Sequence, residues 1–564
     1  MTINKKFLFI FIATSLFADN PDYESGKTNI INIMTHDETG ISAYNKQNIN
    51  YAETTNLSKD LNIPEIANFF PCKTEMGKNF IAQTLNVPVS SQDKKTILAS
   101  RQNAIRTLVE NPTLKKDIEL LLEEAQKEET IIIELMSDFF KGKSCPELKG
   151  LKQIKEQNPK LYPLFNFLLK DDKGRSALLA FNLSALGATA CTTGCYVKNH
   201  IRDGVFNRNI AGTTAYFAFL NGIQTYSLVK EYKNAYDKRL KIHSLNRLIS
   251  IAEQVESLCN TNNIHNQFNI SNLQNKTGIN LIKAIKHRRY RFKNTFVFRT
   301  PTVQTFLYDL YEKQQYLAEA FACIAELDAY NALATQIIES AQSHNKFCFA
   351  SYIEQNQPKI QSNNFWNILV KNAVPSSLSE DHHIILTGPN AGGKTTAIRA
   401  ILQNIVLAQT FGIAAAESFE CTMFDVIHSY LHISDDLING LSLFASELKR
   451  AQEILEQIKQ IKENQKFFFA LDELFTGTAA EDGETCAYEF VNKMSSFKKT
   501  QFIYATHFER LKELAENNRF CKNYKVDAPT KDLEEKLLFP YTVSQGANTS
   551  RVAIDLAKQA GLFN

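Results

Sequence analysis

Leu386-Thr387-Gly388-Pro389-Asn390-Ala391-Gly392-Gly393-Lys394-Thr395-Thr396 fits the phosphate-cradling loop G-x-x-x-x-G-K-[ST] at every fixed position. The apolar run Ile384-Ile385-Leu386 before it reads as a buried strand, and Ala397 to Gln409 after it reads as a helix. Strand, glycine loop and helix in that order bring backbone N–H groups and a helix N-terminus around the β-phosphate of a nucleoside triphosphate. Gly388 and Gly393 permit the tight turn, and Pro389, Asn390, Ala391 and Gly392 complete the cradle. Lys394 reaches the β- and γ-phosphates, and the Thr395 hydroxyl is placed to ligate Mg²⁺. A glycine turn with a chance lysine is the bland alternative, and the flanking strand and helix argue against it.

Working outward, Phe467-Phe468-Phe469-Ala470-Leu471-Asp472-Glu473 is an apolar strand that ends in two carboxylates. Asp472 is expected to hold the metal, and Glu473 to act on the attacking water. Further on, Gln501-Phe502-Ile503-Tyr504-Ala505-Thr506-His507 is another short apolar strand, ending in a histidine able to sense the γ-phosphate or orient the water. Alone, His507 reads as an ordinary strand-end residue; its weight comes from the other motifs.

Together these residues resemble the MutS-type mismatch-repair ATPases of the ABC ATPase superfamily. The family's loop reads TGPNMGGKST, where this chain has TGPNAGGKTT from Thr387 to Thr396. Its metal-binding strand reads LDEIGRGT followed by DG, where this chain has Leu471 to Thr478 and then Asp482-Gly483. The family's ATHYHEL is matched by Ala505-Thr506-His507-Phe508-Glu509-Arg510-Leu511. Ser434-Asp435-Asp436-Leu437 and Ser442-Leu443-Phe444-Ala445-Ser446-Glu447 are similar to its SDDL and STFMVE segments. The resemblance implies ATP and Mg²⁺ as ligands and catalytic roles for Glu473, His507 and Ser442. It also implies that Ser442 acts in trans, on nucleotide held by the other subunit of a homodimer or a MutS-like heterodimer.

Upstream, Thr74-Glu75-Met76-Gly77-Lys78, then Leu85 with Pro88, then Arg101-Gln102-Asn103-Ala104-Ile105 resemble the start of the MutS core or lever domain. Ile324-Ala325-Glu326-Leu327-Asp328-Ala329 resembles the helix that returns toward the ATPase. The implied fold is an α/β P-loop ATPase domain of ABC type over 351–564, preceded by a mainly α-helical core-like domain over 61–350. Two departures stand out. Phe475-Thr476 replaces the family's Gly-Arg, which puts the usual subunit contacts of that loop in doubt. The segment before Pro64 is too short for the family's mismatch-reading domain, and the sequence past Leu562 leaves no room for a helix-turn-helix or Smr-type tail. A motor coupled to DNA is therefore expected more firmly than mismatch reading itself.

At 564 residues the chain has room for two to four domains. Its net charge of +3 argues neither for nor against DNA. Locally, Lys283, Lys286, Arg288, Arg289, Arg291 and Lys293 cluster with His287, Tyr290 and Phe292, a composition suited to phosphate contact and stacking, or to a solvated helix face. Ten cysteines without a C-x-x-C pair read as free thiols in a reducing compartment.

Residues 1–20 carry Lys5-Lys6 ahead of the apolar stretch Phe7 to Ala18, the pattern of a secretory signal or anchor. Residues 21–60 are polar and read as disordered. Within 176–229, the uncharged stretches Ser176–Val197 and Asn209–Val229 are each bounded by basic residues and long enough to cross a bilayer. Two readings follow: a membrane hairpin, or two buried helices as Asn182, Asn221 and Gln224 favour. The expected location is a cytoplasmic ATPase, held at the inner membrane under the hairpin reading. Its expected output is DNA binding, with a membrane-anchored event other than repair as the alternative.

Overall fold

The computed structural model describes residues 52–140 except 92–93, parts of 237–286, 310–548 except 311–312, 390–391, 432–442, 461–464 and 532–536, and isolated positions beyond. The chain divides into two compact units, one of 1–43, 121–256 and 268–324, the other of 44–120, 257–267 and 325–564. Among the described residues the first unit is helical, over 239–256 and Lys276–Lys286 among others. Its interior is aliphatic, with Ile132, Ile133, Ile242, Leu245, Ile249 and Val255 buried. Arg247 pairs with Glu128 at 2.8 Å, and Lys286 pairs with Glu253.

The second unit opens with β1 (Glu53–Thr55), α1 (Leu57–Leu61), α2 (Ile63–Phe69), α3 (Glu75–Leu85) and α4 (Ala99–Glu110). After α5 (Ala318–Ser340) come β2 (Cys348–Phe349), β3 (Ser351–Ile353), β4 (Ile360–Phe365), β5 (Ser376–Glu380) and β6 (His383–Thr387). Next are α6 (Lys394–Phe411), β7 (Ile413–Ala414), β8 (Ser418–Thr422), β9 (Val426–Tyr430), α7 (Leu443–Lys459) and β10 (Phe467–Asp472). The described elements end with α8 (Ala480–Ser495), β11 (Thr500–Thr506), α9 (Glu509–Asn517), β12 (Cys521–Val526), β13 (Thr530–Lys531), β14 (Leu537–Leu538) and β15 (Val543–Gln545).

Seven strands form one sheet in the order β1-β9-β10-β11-β6-β12-β15, parallel throughout except for β15. A parallel sheet is covered on both faces, so its strands need apolar side chains on both sides. Phe467-Phe468-Phe469-Ala470-Leu471 meets that requirement, and every residue of β6, β9 and β11 is buried. A second sheet, β3-β8-β4-β5, lies in the same unit.

The N-terminal boundary differs from the sequence reading. Residues 53–60, expected within a disordered stretch, form β1 and most of α1, and β1 pairs with β9 from Glu53↔Val426 to Thr55↔His428. Buried Asp60 accepts the Leu431 N–H at 3.1 Å. A three-residue polar edge strand carries no hydrophobic period, which is why composition passed over it. The division also does not fall at 351, because α1 to α4 belong to the second unit. Val89 and Gln409 bond reciprocally, at 2.7 Å from Val89 N–H to the Gln409 carbonyl and 2.9 Å from Gln409 Nε2 to the Val89 carbonyl.

No described helix is long and apolar enough to cross a membrane. The segments behind the signal and hairpin readings, 1–20 and 176–229, lie outside the described residues, as does the basic cluster beyond Lys286. None of the seven described cysteines forms a disulfide.

Candidate functional site

Three neighbouring strands of the sheet, β10, β11 and β6, end at the same edge. Their register pairs Asp472 with Ala505, and Thr506 with Thr387, so Glu473, His507 and Gly388 leave the sheet side by side. Ligands of open α/β sheets bind outside such carboxyl ends. The sequence sets this up simply: the residues just before the end of each strand are apolar, and polar groups begin where the sheet stops.

Gly393 sits at φ 97, a left-handed conformation that side chains disfavour, and it immediately precedes α6. A Cβ on Gly392 would come within 2.9 Å of the Pro389 carbonyl oxygen, so the turn has no room for a larger residue. Lys394 is buried, and its ammonium donates to the Gly388 carbonyl at 3.1 Å and lies 3.2 Å from the Glu473 carboxylate. The Thr395 hydroxyl donates to Asp472. These are two hard oxygen donors in direct contact, the donor chemistry that Mg²⁺ takes.

Glu473 is the electrostatic centre. His507 Nδ1 is 3.7 Å from its carboxylate. The His507 side chain, and then the Lys394 charge, hold the Glu473 pKa down to about 2 against a burial that acts to raise it. Glu473 is thus anionic at neutral pH and a weak base, suited to orienting a water more than to removing its proton early. Its backbone is unusual as well, at φ 47, with its N–H bonded to the Ala505 carbonyl at 3.0 Å. His507 is half exposed, at the open side of the group.

Of the residues read from sequence, Gly388, Pro389, Gly392, Gly393, Lys394, Thr395, Asp472, Glu473 and His507 converge at this edge, and Thr396 follows in the first turn of α6. Asn390, Ala391 and Ser442 lie outside the described residues. Two features escaped the sequence reading. One is a cavity of about 230 Å³ beside the loop, lined by Asn372, Val374, Thr396, Ala397 and Tyr541 among others. The Tyr541 ring comes so close that a Cβ on Gly393 would meet it at 3.2 Å. The other is Glu447, quoted within a motif but given no task, which accepts hydrogen bonds from the loop after Glu473. No local pattern signals Tyr541, and the motif that contains Glu447 does not say what it holds, because each meets the site only through the fold.

Residues 384–564 match the model of MutS domain V. Over 196 residues, 34% of this chain, the sequence is 31% identical to 22% of the DNA mismatch repair protein MutS of Streptococcus pyogenes serotype M1. Over 253 residues, 44% of this chain, it is 26% identical to 28% of the protein of the same name from Streptococcus agalactiae serotype Ia. The matched region thus spans about a quarter of the length of these relatives.

Proposed function

We propose, for a chain that is a MutS-family protein through residues 384–564, that it is an ATP hydrolase whose cycle of binding and hydrolysis drives a change in DNA binding. The observation that carries the reading is the convergence of Lys394, Thr395, Asp472, Glu473 and His507 at one sheet edge. In this reading the loop amides and Lys394 hold the β- and γ-phosphates, and the cavity beside Tyr541 takes the base. Thr395 and Asp472 hold Mg²⁺, which when bound neutralises phosphate charge and polarises the γ-phosphoryl group. Glu473 accepts a hydrogen bond from the attacking water, and His507 keeps that carboxylate ionised and oriented. The water oxygen bonds to the γ-phosphorus while the bond to the β,γ-bridging oxygen breaks. ADP leaves, and the proton lost by water ends on inorganic phosphate. Ser442 acts on nucleotide held by a second subunit, which makes the working unit a dimer with composite sites.

The DNA half of the proposal is supported by the names of the relatives and is tested separately. Phosphate release from Mg·ATP by the full chain should be abolished in Lys394→Met. DNA retention should weaken steeply as salt rises, as release of counterions from phosphate contacts requires. Absence of nucleotide binding would defeat the first half of the proposal, and salt-independent retention would defeat the second.

A further inference from the structure

The turn after Glu473 is held in a conformation its residues do not prefer. Glu473 lies at φ 47 and Phe475 at φ 72, both non-glycine residues in the left-handed region. Such backbones persist only where their surroundings over-determine them. Three restraints come from elements behind the turn. The Tyr504 hydroxyl donates to the Leu474 carbonyl at 2.8 Å, the Phe475 ring is buried against Phe490, and Gly483 abuts the Phe475 carbonyl so closely that a Cβ would sit 2.3 Å from it. The fourth restraint comes from the other side, from α7. Glu447 accepts the Thr476 N–H at 3.0 Å and the Gly477 N–H at 3.1 Å, one on each carboxylate oxygen, with the Thr476 hydroxyl at 3.4 Å.

Glu447 is 1% exposed, and these donors are all neutral. Burying a carboxylate is costly unless its hydrogen bonds are well made, and two successive backbone amides meet that need with fixed geometry. The contact is also close. A Cβ on Gly477 would lie 2.8 Å from Phe444 N, so the turn and the start of α7 are pressed together. The whole arrangement lies within one compact unit.

We propose that Glu447 is a positioning residue for hydrolysis. By clamping Thr476 and Gly477 it fixes the left-handed turn that aims Glu473, and it makes the first turns of α7 and that turn move as one piece. The inference rests on the ATPase reading above.

Glu447→Gln is the decisive variant. It keeps size and one acceptor, but its amide group sets N–H against a backbone N–H. Phosphate release, ATP affinity and the urea midpoint are measured on the full chain, with Glu473→Gln in parallel. The expected result is a roughly 100-fold fall in kcat, the scale of a misplaced catalytic group, with KM and the dissociation constant for ATP within threefold of the parent. Thr476→Val, which removes only the weakest of the three bonds, should lose less than about fivefold. Unchanged kcat in Glu447→Gln overturns the proposal. So does a parallel loss of ATP affinity, kcat and urea midpoint, which marks Glu447 as merely structural. If the parent chain fails to hydrolyse ATP, or Glu473→Gln hydrolyses it normally, the ATPase reading itself has failed and this inference falls with it.

Discussion

Phe475 shows how residue-scale forces compete at the site. Holding a bulky residue in the left-handed region costs about 1–2 kcal/mol, whereas deleting a buried phenylalanine side chain costs about 3–5 kcal/mol. The ring therefore outweighs the backbone strain. Phe475→Gly is expected to lower unfolding stability by about 2–3 kcal/mol in urea, despite relieving the φ of 72. A glycine variant more stable than the parent would show that the ring contributes nothing. Tyr541 makes a separate prediction, because stacking of a base on an aromatic ring is worth about 1–3 kcal/mol. Tyr541→Ala should raise KM for ATP by about tenfold with little change in kcat, and an unchanged KM would remove the base from that cavity. The residues that gather at the sheet edge were legible in the sequence, since the chemistry proposed for them fixes residue type and spacing within a few positions. Glu447 and Tyr541 were not, because the first needs a turn 30 residues away and the second reaches the loop only through the sheet.

Among the elements, α6 is the part that links the glycine loop to the rest of its unit. Its N-terminus carries Lys394 and Thr395, and its C-terminus is held by α4. Buried Arg101 donates to the Thr410 carbonyl at 2.7 Å, and Gln102 Nε2 donates to the carbonyls of Gly412 at 2.7 Å and Ala350 at 2.9 Å. A cation at a helix C-terminus meets both the orphan carbonyls and the negative end of the helix dipole. Arg101→Ala should cost about 2–3 kcal/mol of unfolding free energy, the range for a charge-assisted bond to a buried acceptor. A loss below about 0.5 kcal/mol would mean that the end of α6 needs no such cap. The resemblance at Arg101-Gln102 pointed to a helical domain separate from the ATPase. The hydrogen bonds instead place α4 inside the same unit as α6, and such long-range pairing leaves no mark on local periodicity. The central strands were readable for the opposite reason: a strand buried on both faces is mostly apolar, as Phe467 to Leu471 of β10 and Phe502 to Ala505 of β11 are.

For the molecule as a whole, acid sensitivity separates the two units. Burial depresses the pKa of His383 and of His428 to about 4, and both lie in the second unit. Each is neutral in the fold and titrates near 6.5 when unfolded, so its stabilising effect is complete above pH 6.5 and declines as pH falls from there toward 4. Between pH 6.5 and 5 the two together should cost about 3 kcal/mol, read as a falling urea midpoint. Burial raises the pKa of Asp328 in the same unit and that of Glu319 in the other, the latter to about 7, and both oppose the trend as carboxyls that prefer to be protonated in the fold. His428→Gln should therefore flatten the pH dependence of the second unit, and an unaltered slope would assign the acid loss elsewhere. Above these details stands the claim that one sheet edge builds an ATP-cleaving site around Glu473. A single-turnover measurement on Glu473→Gln tests it most directly, with bound ATP and released phosphate followed together. The account predicts ATP held with near-parental affinity and cleaved at least about 100-fold more slowly. Cleavage at the parental rate would contradict it.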